Sequence, residues 1–316
     1  MRTPLLALVA LASGCVINSD KWPRPRDLTP DWEVSETRIL GIRADPPEIR
    51  PGDTVAFDAL FGAPPGSDGE VGDNGIPADR SVLWLACPVD DEGNGFGCLT
   101  DLGDVDLATA DPADLASLGF VGFEPGLAPS YTAPADLLDG LDEQARLEGR
   151  YVLVQLLAFP TALLQDPDAL ANLDFSVVVS AYKRLVVSDA PTPNHNPDIG
   201  VFVVDGLPIP PGAVVTVEPD QRYDLSVALP EGAIESYDYE NSDGVVEQRV
   251  EEPYASWYTT GGEMLEEVTL WPRLEATWQA PKETLDRGFW YIVLRDRRGG
   301  VSWYTQEFTI GRPTGR

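Results

Sequence analysis

The 316-residue chain carries 52 Asp and Glu against 22 Lys and Arg, a formal net charge of −30, and 43% of its residues are apolar. A surface so acidic repels polyanions, which excludes nucleic acid and anionic lipid headgroups as partners of the surface as a whole, although a local basic patch can still act. The length and apolar share suffice for two cores of ordinary size rather than one.

The chain opens Met1-Arg2-Thr3-Pro4, runs through the apolar Leu5 to Leu11 and reaches Ala12-Ser13-Gly14-Cys15. One cation, a short apolar run and small residues before a cysteine resemble the lipobox of bacterial lipoproteins, which implies removal of residues 1–14 and a diacylglyceryl anchor on Cys15. The run is far shorter than the ~20 residues of a spanning helix. Val16 does not resemble the Asp that commonly retains lipoproteins in the inner membrane, so the expected address is the outer membrane, with the leaflet left open. Lipid on Cys15 leaves Cys87 and Cys98 as the one candidate disulfide in an oxidising compartment. Residues 15–36, with Pro23, Pro25 and Pro30, read as a semi-extended tether.

The rest reads as all-β, two tandem immunoglobulin-like β-sandwiches with long loops and a few short helices in the first. In the first, at 37–187, alternating or apolar runs lie at 38–44, 54–60, 81–87, 151–159 and 175–187, separated by turns rich in Pro, Gly and Asp. The clearest helix starts at Asp111 as N-cap, has Pro112 in its first turn and stops at Gly119. Asp90-Asp91-Glu92 and Asp104-Val105-Asp106 read as solvated loops. Residues 188–198 hold three prolines and no apolar periodicity, as an inter-domain linker does. In the second, at 199–316, strands are expected at 201–204, 223–229, 255–260, 274–278, 289–294 and 302–310. The halves also rhyme: Tyr131-Thr132-Ala133-Pro134 before Gly149-Arg150-Tyr151-Val152 matches Trp278-Gln279-Ala280-Pro281 before Gly288-Phe289-Trp290-Tyr291, as two diverged copies of one sandwich would.

The run Ser35 to Glu48, the linker Asn194-His195-Asn196-Pro197 and the segment Leu294 to Trp303 resemble those of uncharacterised lipoproteins of myxobacteria and their relatives. The resemblance implies immunoglobulin-like sandwiches and an envelope location, and it carries no catalytic residues across.

Chemistry is sparse. The single histidine, His195, lies in the linker, which argues against a Ser-His-Asp triad or a zinc site of ordinary ligands. Ser180-Ala181-Tyr182-Lys183 has a Ser-x-x-Lys spacing, but in a strand its ends point to opposite faces. No catalytic residues are assigned. Asn194, Asn196 and Asp198 offer oxygens in the linker, so Ca²⁺ is the one cofactor left open. Phe289, Tyr291 and Trp303 form either a platform for sugar rings or the cover of the joint with the other domain. Arg287, Arg295, Arg297 and Arg298 either pair with the protein's own carboxylates or meet a polyanionic envelope polysaccharide. The expected function is a non-enzymatic, lipid-anchored envelope protein that presents its sandwiches for adhesion, scaffolding or ligand binding, to a polysaccharide or another envelope protein. The alternative is a carbohydrate-binding protein or glycoside hydrolase built on Tyr291 and Trp303.

Overall fold

Strands account for most of the described residues, because short runs of alternating burial recur between turns that end them. The computed structural model describes residues 30–67, 71, 75–89, 119–124, 126–165, 177–240 and 244–311. The predicted anchor at Cys15, the acidic loops, the helix at Asp111 and Cys98 lie outside these residues, so the Cys87–Cys98 bridge remains a proposal. Residues Asp31–Arg316 form one compact unit.

The first half contains β1 (Arg38–Asp45), β2 (Glu48–Ile49), β3 (Thr54–Gly62), β4 (Arg80–Pro88), β5 (Phe120–Glu124), β6 (Ser130–Thr132), β7 (Arg150–Pro160) and β8 (Val179–Val187). A three-stranded sheet in the order β1-β3-β6 faces a five-stranded sheet in the order β2-β8-β7-β4-β5. Between them Val55, Phe57, Trp84, Val152, Val154, Leu156, Leu185 and Val187 make the core, with Phe57 stacked on Trp84 at 5.9 Å. The helix α1 (Glu143–Glu148) starts at Asp142, whose carboxylate accepts from Ala145 N–H at 2.9 Å, and ends at Gly149, as capping chemistry requires.

The second half contains β9 (Val201–Val204), β10 (Leu207–Ile209), β11 (Val215–Val217), β12 (Arg222–Ala228), β13 (Ser236–Glu240), β14 (Val246–Val250), β15 (Tyr254–Thr259), β16 (Glu263–Met264), β17 (Val268–Leu270), β18 (Glu275–Gln279), β19 (Leu285–Arg295) and β20 (Val301–Ile310). One sheet runs β10-β9-β12-β18-β16 and the other β11-β20-β19-β15-β17. Their core is rich in tryptophan: Trp257, Trp278 and Trp290 are fully buried, and Trp278 meets Trp290 edge-on at 4.9 Å.

The two halves share one topology. β2 runs parallel to β8, as β11 runs parallel to β20. β4 lies antiparallel to β7 as β15 does to β19, and the first strand of each pair buries a tryptophan, Trp84 on β4 and Trp257 on β15. The rhyme in the sequence falls on equivalent strands, β6 before β7 and β18 before β19. This order, with a buried tryptophan on the strand that crosses between sheets, is that of an immunoglobulin-like sandwich. Ser180 is exposed and Lys183 buried on β8, so the Ser-x-x-Lys residues do point to opposite faces.

One element departs from the expected division. Residues 32–34 read as tether but are clasped to the second sandwich: Thr259 N–H donates to Trp32 O at 3.0 Å and Val34 N–H to Thr259 O at 2.9 Å. Trp32 and Val34 bring apolar surface with them, which outweighs the solubility of the charged residues around them.

Candidate functional site at the joint between the sandwiches

The predicted aromatic cluster exists, and it is covered. On β19 and β20 the outward face carries Tyr291, Val293, Val301 and Trp303, and against it lie Val34, Leu40 and Leu60 from the amino-terminal segment, β1 and β3. Tyr291 is only 4% exposed, and Phe289 and Trp303 are half-buried. Arg43 lies 4.8 Å over the Trp303 ring and Arg287 4.9 Å over Phe289. The platform for sugar rings is therefore corrected to an interface core, because so much apolar surface is more stable against the first sandwich than in water.

Two local devices bring the sandwiches together. The register of β1 slips between Ile39 and Gly41, a bulge that turns Leu40 into the joint and frees its carbonyl. Arg295 Nη2 donates to that carbonyl at 2.9 Å and its Nη1 to Ser256 Oγ at 3.1 Å. Beside the bulge, a Cβ on Gly41 would lie 3.3 Å from Val293 Cγ1 and 3.6 Å from the Trp303 ring, so glycine sets the approach of the two sheets. Gly41→Leu is expected to cost about 1–3 kcal/mol by overpacking and to lower the urea midpoint. An unchanged midpoint would mean that the joint gives way freely.

A polar network closes the other end of the joint around the β19–β20 turn. Asp296, 1% exposed, accepts from Arg298 N–H at 2.7 Å, Gly299 N–H at 3.0 Å and Gly300 N–H at 2.9 Å through Oδ1. Its Oδ2 accepts from Gly300 N–H at 3.0 Å and from Asn194 Nδ2 at 2.8 Å. A Cβ on Gly300 would sit 2.1 Å from that oxygen and 2.7 Å from His195 O, so no other residue fits there. Burial pushes the Asp296 carboxyl up and the donors around it pull it back.

From the first sandwich, Lys183 Nζ donates to Gly299 O. Burial is the main cause that brings its amine down to about 8, with Asp296 opposing and Arg295 assisting. Glu48 accepts from Ser188 Oγ and, at 2.7 Å, from Asn194 N–H. Arg298 reaches Glu251 at 3.0 Å, Glu235 at 3.2 Å and Glu48 at 4.0 Å. Burial also raises Glu251. His195 Nδ1 lies 2.8 Å from Glu235.

The remaining predicted site residues find their places here. Arg298 is turned inward onto the protein's own acids, whereas Arg297 is exposed and lies 3.5 Å from Glu252. Asn194 and Asn196 are ties: Asn196 Nδ2 donates to Ala44 O at 2.8 Å, and its Oδ1 accepts from Val301 N–H at 2.9 Å. Asn196 Oδ1 is thus taken and Asp198 is exposed, whereas Asn194 Oδ1 is buried with no hydrogen-bond partner among the described residues, so Ca²⁺ at Asn194, Asn196 and Asp198 stays a proposal. Among the described residues no three His, Cys, Asp or Glu side chains gather as a metal-binding group, and no helix is long and apolar enough to cross a membrane. Cys87 is half-buried at the end of β4. Sequence reasoning missed Glu48, Ser188, Glu235, Glu251 and Asp296. Only Asp296 left a trace, as an Asp that opens a turn ending in Gly-Gly.

The fold and the joint define an all-β protein of two like sandwiches fastened to each other. No family model and no curated protein matches the chain. Among solved structures it is similar to a nucleoside hydrolase-related hypothetical protein from Saccharophagus degradans that is associated with carbohydrate metabolism. That match has 15% identity and a TM-score of 0.25, and covers 40% of this chain and 28% of that one, far from its full length. Murine CEACAM1b matches at 10% identity over 87% of this chain and 100% of that chain, with a TM-score of 0.21. The Bacteroides ovatus protein SGBP-B, in complex with a mixed-linkage heptasaccharide, matches at 11% identity over 88% of this chain and 71% of that one, with a TM-score of 0.17. Likeness this slight leaves the reading to the residues themselves.

Proposed function

We propose that the chain is a non-enzymatic protein of the cell envelope, anchored at the outer membrane through lipid on Cys15, whose two sandwiches act as one rigid spacer presenting a binding surface. The observation that carries the reading is the joint. Its apolar face, the Arg295 tie and the Asp296 network hold the sandwiches at a fixed angle, where a linker alone would leave them free to swing. Of the residues singled out for ligand binding, Tyr291, Trp303, Arg295 and Arg298 lie in this fastening, which weakens the carbohydrate alternative at Tyr291 and Trp303.

Metabolic labelling with an alkyne fatty acid in a Gram-negative host tests the anchor. The full chain is expected to take up label and Cys15→Ser to lose it. An unlabelled wild-type chain would overturn the anchored reading. Small-angle scattering of Cys15→Ser should match a single fixed arrangement of the sandwiches.

A further inference from the structure

We infer that the β13–β14 ribbon is a docking arm that takes up an extended, basic segment of a partner protein as an added strand along one of its edges. The inference rests on the display reading above and names the surface displayed. β13 and β14 pair antiparallel with each other, from Ser236 opposite Val250 to Glu240 opposite Val246, and neither has a second neighbour among the described residues. Every residue of β14 is exposed, Val246 at 61% and Val250 at 51%. A bare edge of this kind invites another strand.

An isolated two-stranded ribbon is marginal in water, and this one is braced at its root. Glu251 N–H donates to Glu235 O at 2.9 Å, and Glu235 N–H to Glu251 Oε2 at 3.0 Å. Arg298 lies 4.3 Å from the Tyr237 ring and Arg249 3.6 Å over Tyr239. The joint thus fixes the ribbon as well as the sandwiches. The ribbon is also an addition to the shared plan. It interrupts the connection from β12 to β15, and the equivalent connection from β3 to β4 shows only the single bridge Val71–Pro77 among its described residues.

Charge selects the occupant. The two strands contain Asp238, Glu240 and Glu247 against Arg249 alone, in a chain of net charge −30. Alternation sets Asp238, Val246, Gln248 and Val250 on one face and Tyr237, Tyr239, Glu247 and Arg249 on the other, where Arg249 pairs with Glu247 at 3.2 Å. A strand that alternates basic with aliphatic residues meets Asp238 and valine on one face, and tyrosine beside the Glu247–Arg249 pair on the other. A second copy of the chain would bring a ribbon of the same sign and be repelled.

The test uses the full chain and three fluorescent peptides: alternating Lys-Val, a Lys-Val peptide of equal charge interrupted by prolines, and alternating Glu-Val. Proline cannot supply the amides of an added strand. Anisotropy should show the Lys-Val peptide binding about tenfold more tightly than either other peptide. Asp238→Lys or Gln248→Lys, both on exposed positions, should weaken it by about tenfold, and hydrogen exchange should slow at 236–239 and 246–250. Equal binding of the proline peptide, slowed exchange elsewhere, or ribbon-dependent self-association in sedimentation would overturn the inference. Those failures leave the lipid label on Cys15 untouched. Loss of that label would instead overturn the display reading, whatever the peptides do.

Discussion

Asp296→Ala is expected to destabilise the protein by about 3–5 kcal/mol, the range for removing one partner from a buried charged network, and to split unfolding into two transitions. The carboxylate holds three successive backbone N–H groups of the β19–β20 turn and the Asn194 amide. Alanine leaves those buried donors without an acceptor and leaves Lys183 without the acid that favours its charge. The turn is what the first sandwich grips, through Lys183 and the linker, so its loss loosens the joint before it harms either core. Each sandwich keeps its own core and then unfolds on its own terms. Guanidinium titration followed by tryptophan fluorescence checks this, since Trp84 reports the first core and Trp257, Trp278 and Trp290 the second. Asp296→Asn should be milder, because an amide oxygen can still accept from the turn. A single transition at the wild-type midpoint would show that the network does not couple the halves.

The second large effect is a rise in the contribution of Lys183 to stability in alkaline solution. The amine of Lys183 is lowered from 10.5 to about 8 by burial in the folded chain and regains its ordinary value on unfolding. Between those two values the unfolded chain binds more protons at this group than the folded one, so the contribution of Lys183 to stability climbs as pH rises from about 8 to about 10.5 and is level on either side. A shift of this size corresponds to about 3 kcal/mol. Neutral Lys183 still has an N–H to donate to Gly299 O, so the joint need not open as the proton leaves. Lys183→Met removes the titrating group while filling similar space. The difference in urea stability, wild type minus variant, should therefore grow by about 3 kcal/mol across this range, and parallel pH curves would refute the assignment.

Much of this fold was legible because strand alternation is a local property. The run at 38–44 is β1 to within a residue, and 201–204 is β9. Where a strand is made by its neighbour, the sequence is mute. Glu48–Ile49 and Val215–Val217 are too short to show a period and exist because β8 and β20 offer parallel edges. The ribbon was missed for the opposite reason, since its residues are mostly exposed and its one alternation, Tyr237 and Tyr239 between polar neighbours, spans only five residues. At the site, alternation grouped Phe289 with Tyr291, and Trp303 completed the cluster. A period of two tells which side chains share a face, and only the tertiary fold tells whether that face meets water or another sheet. The ties made by Asn194 and Asn196 were not legible, because a linker rich in amides and prolines carries no sign of what it will be pinned against.

The clasp between Thr259 and residues 32–34 sets the route that tension takes through the molecule. A pull on the chain ahead of Asp31 reaches Thr259, in the second sandwich, before it reaches β1, so the half encoded later bears load first. Two backbone hydrogen bonds and the seats of Trp32 and Val34 meet that pull first. Since Val34 is itself part of the apolar joint, a pull strong enough to peel this segment would strip the joint of one of its members.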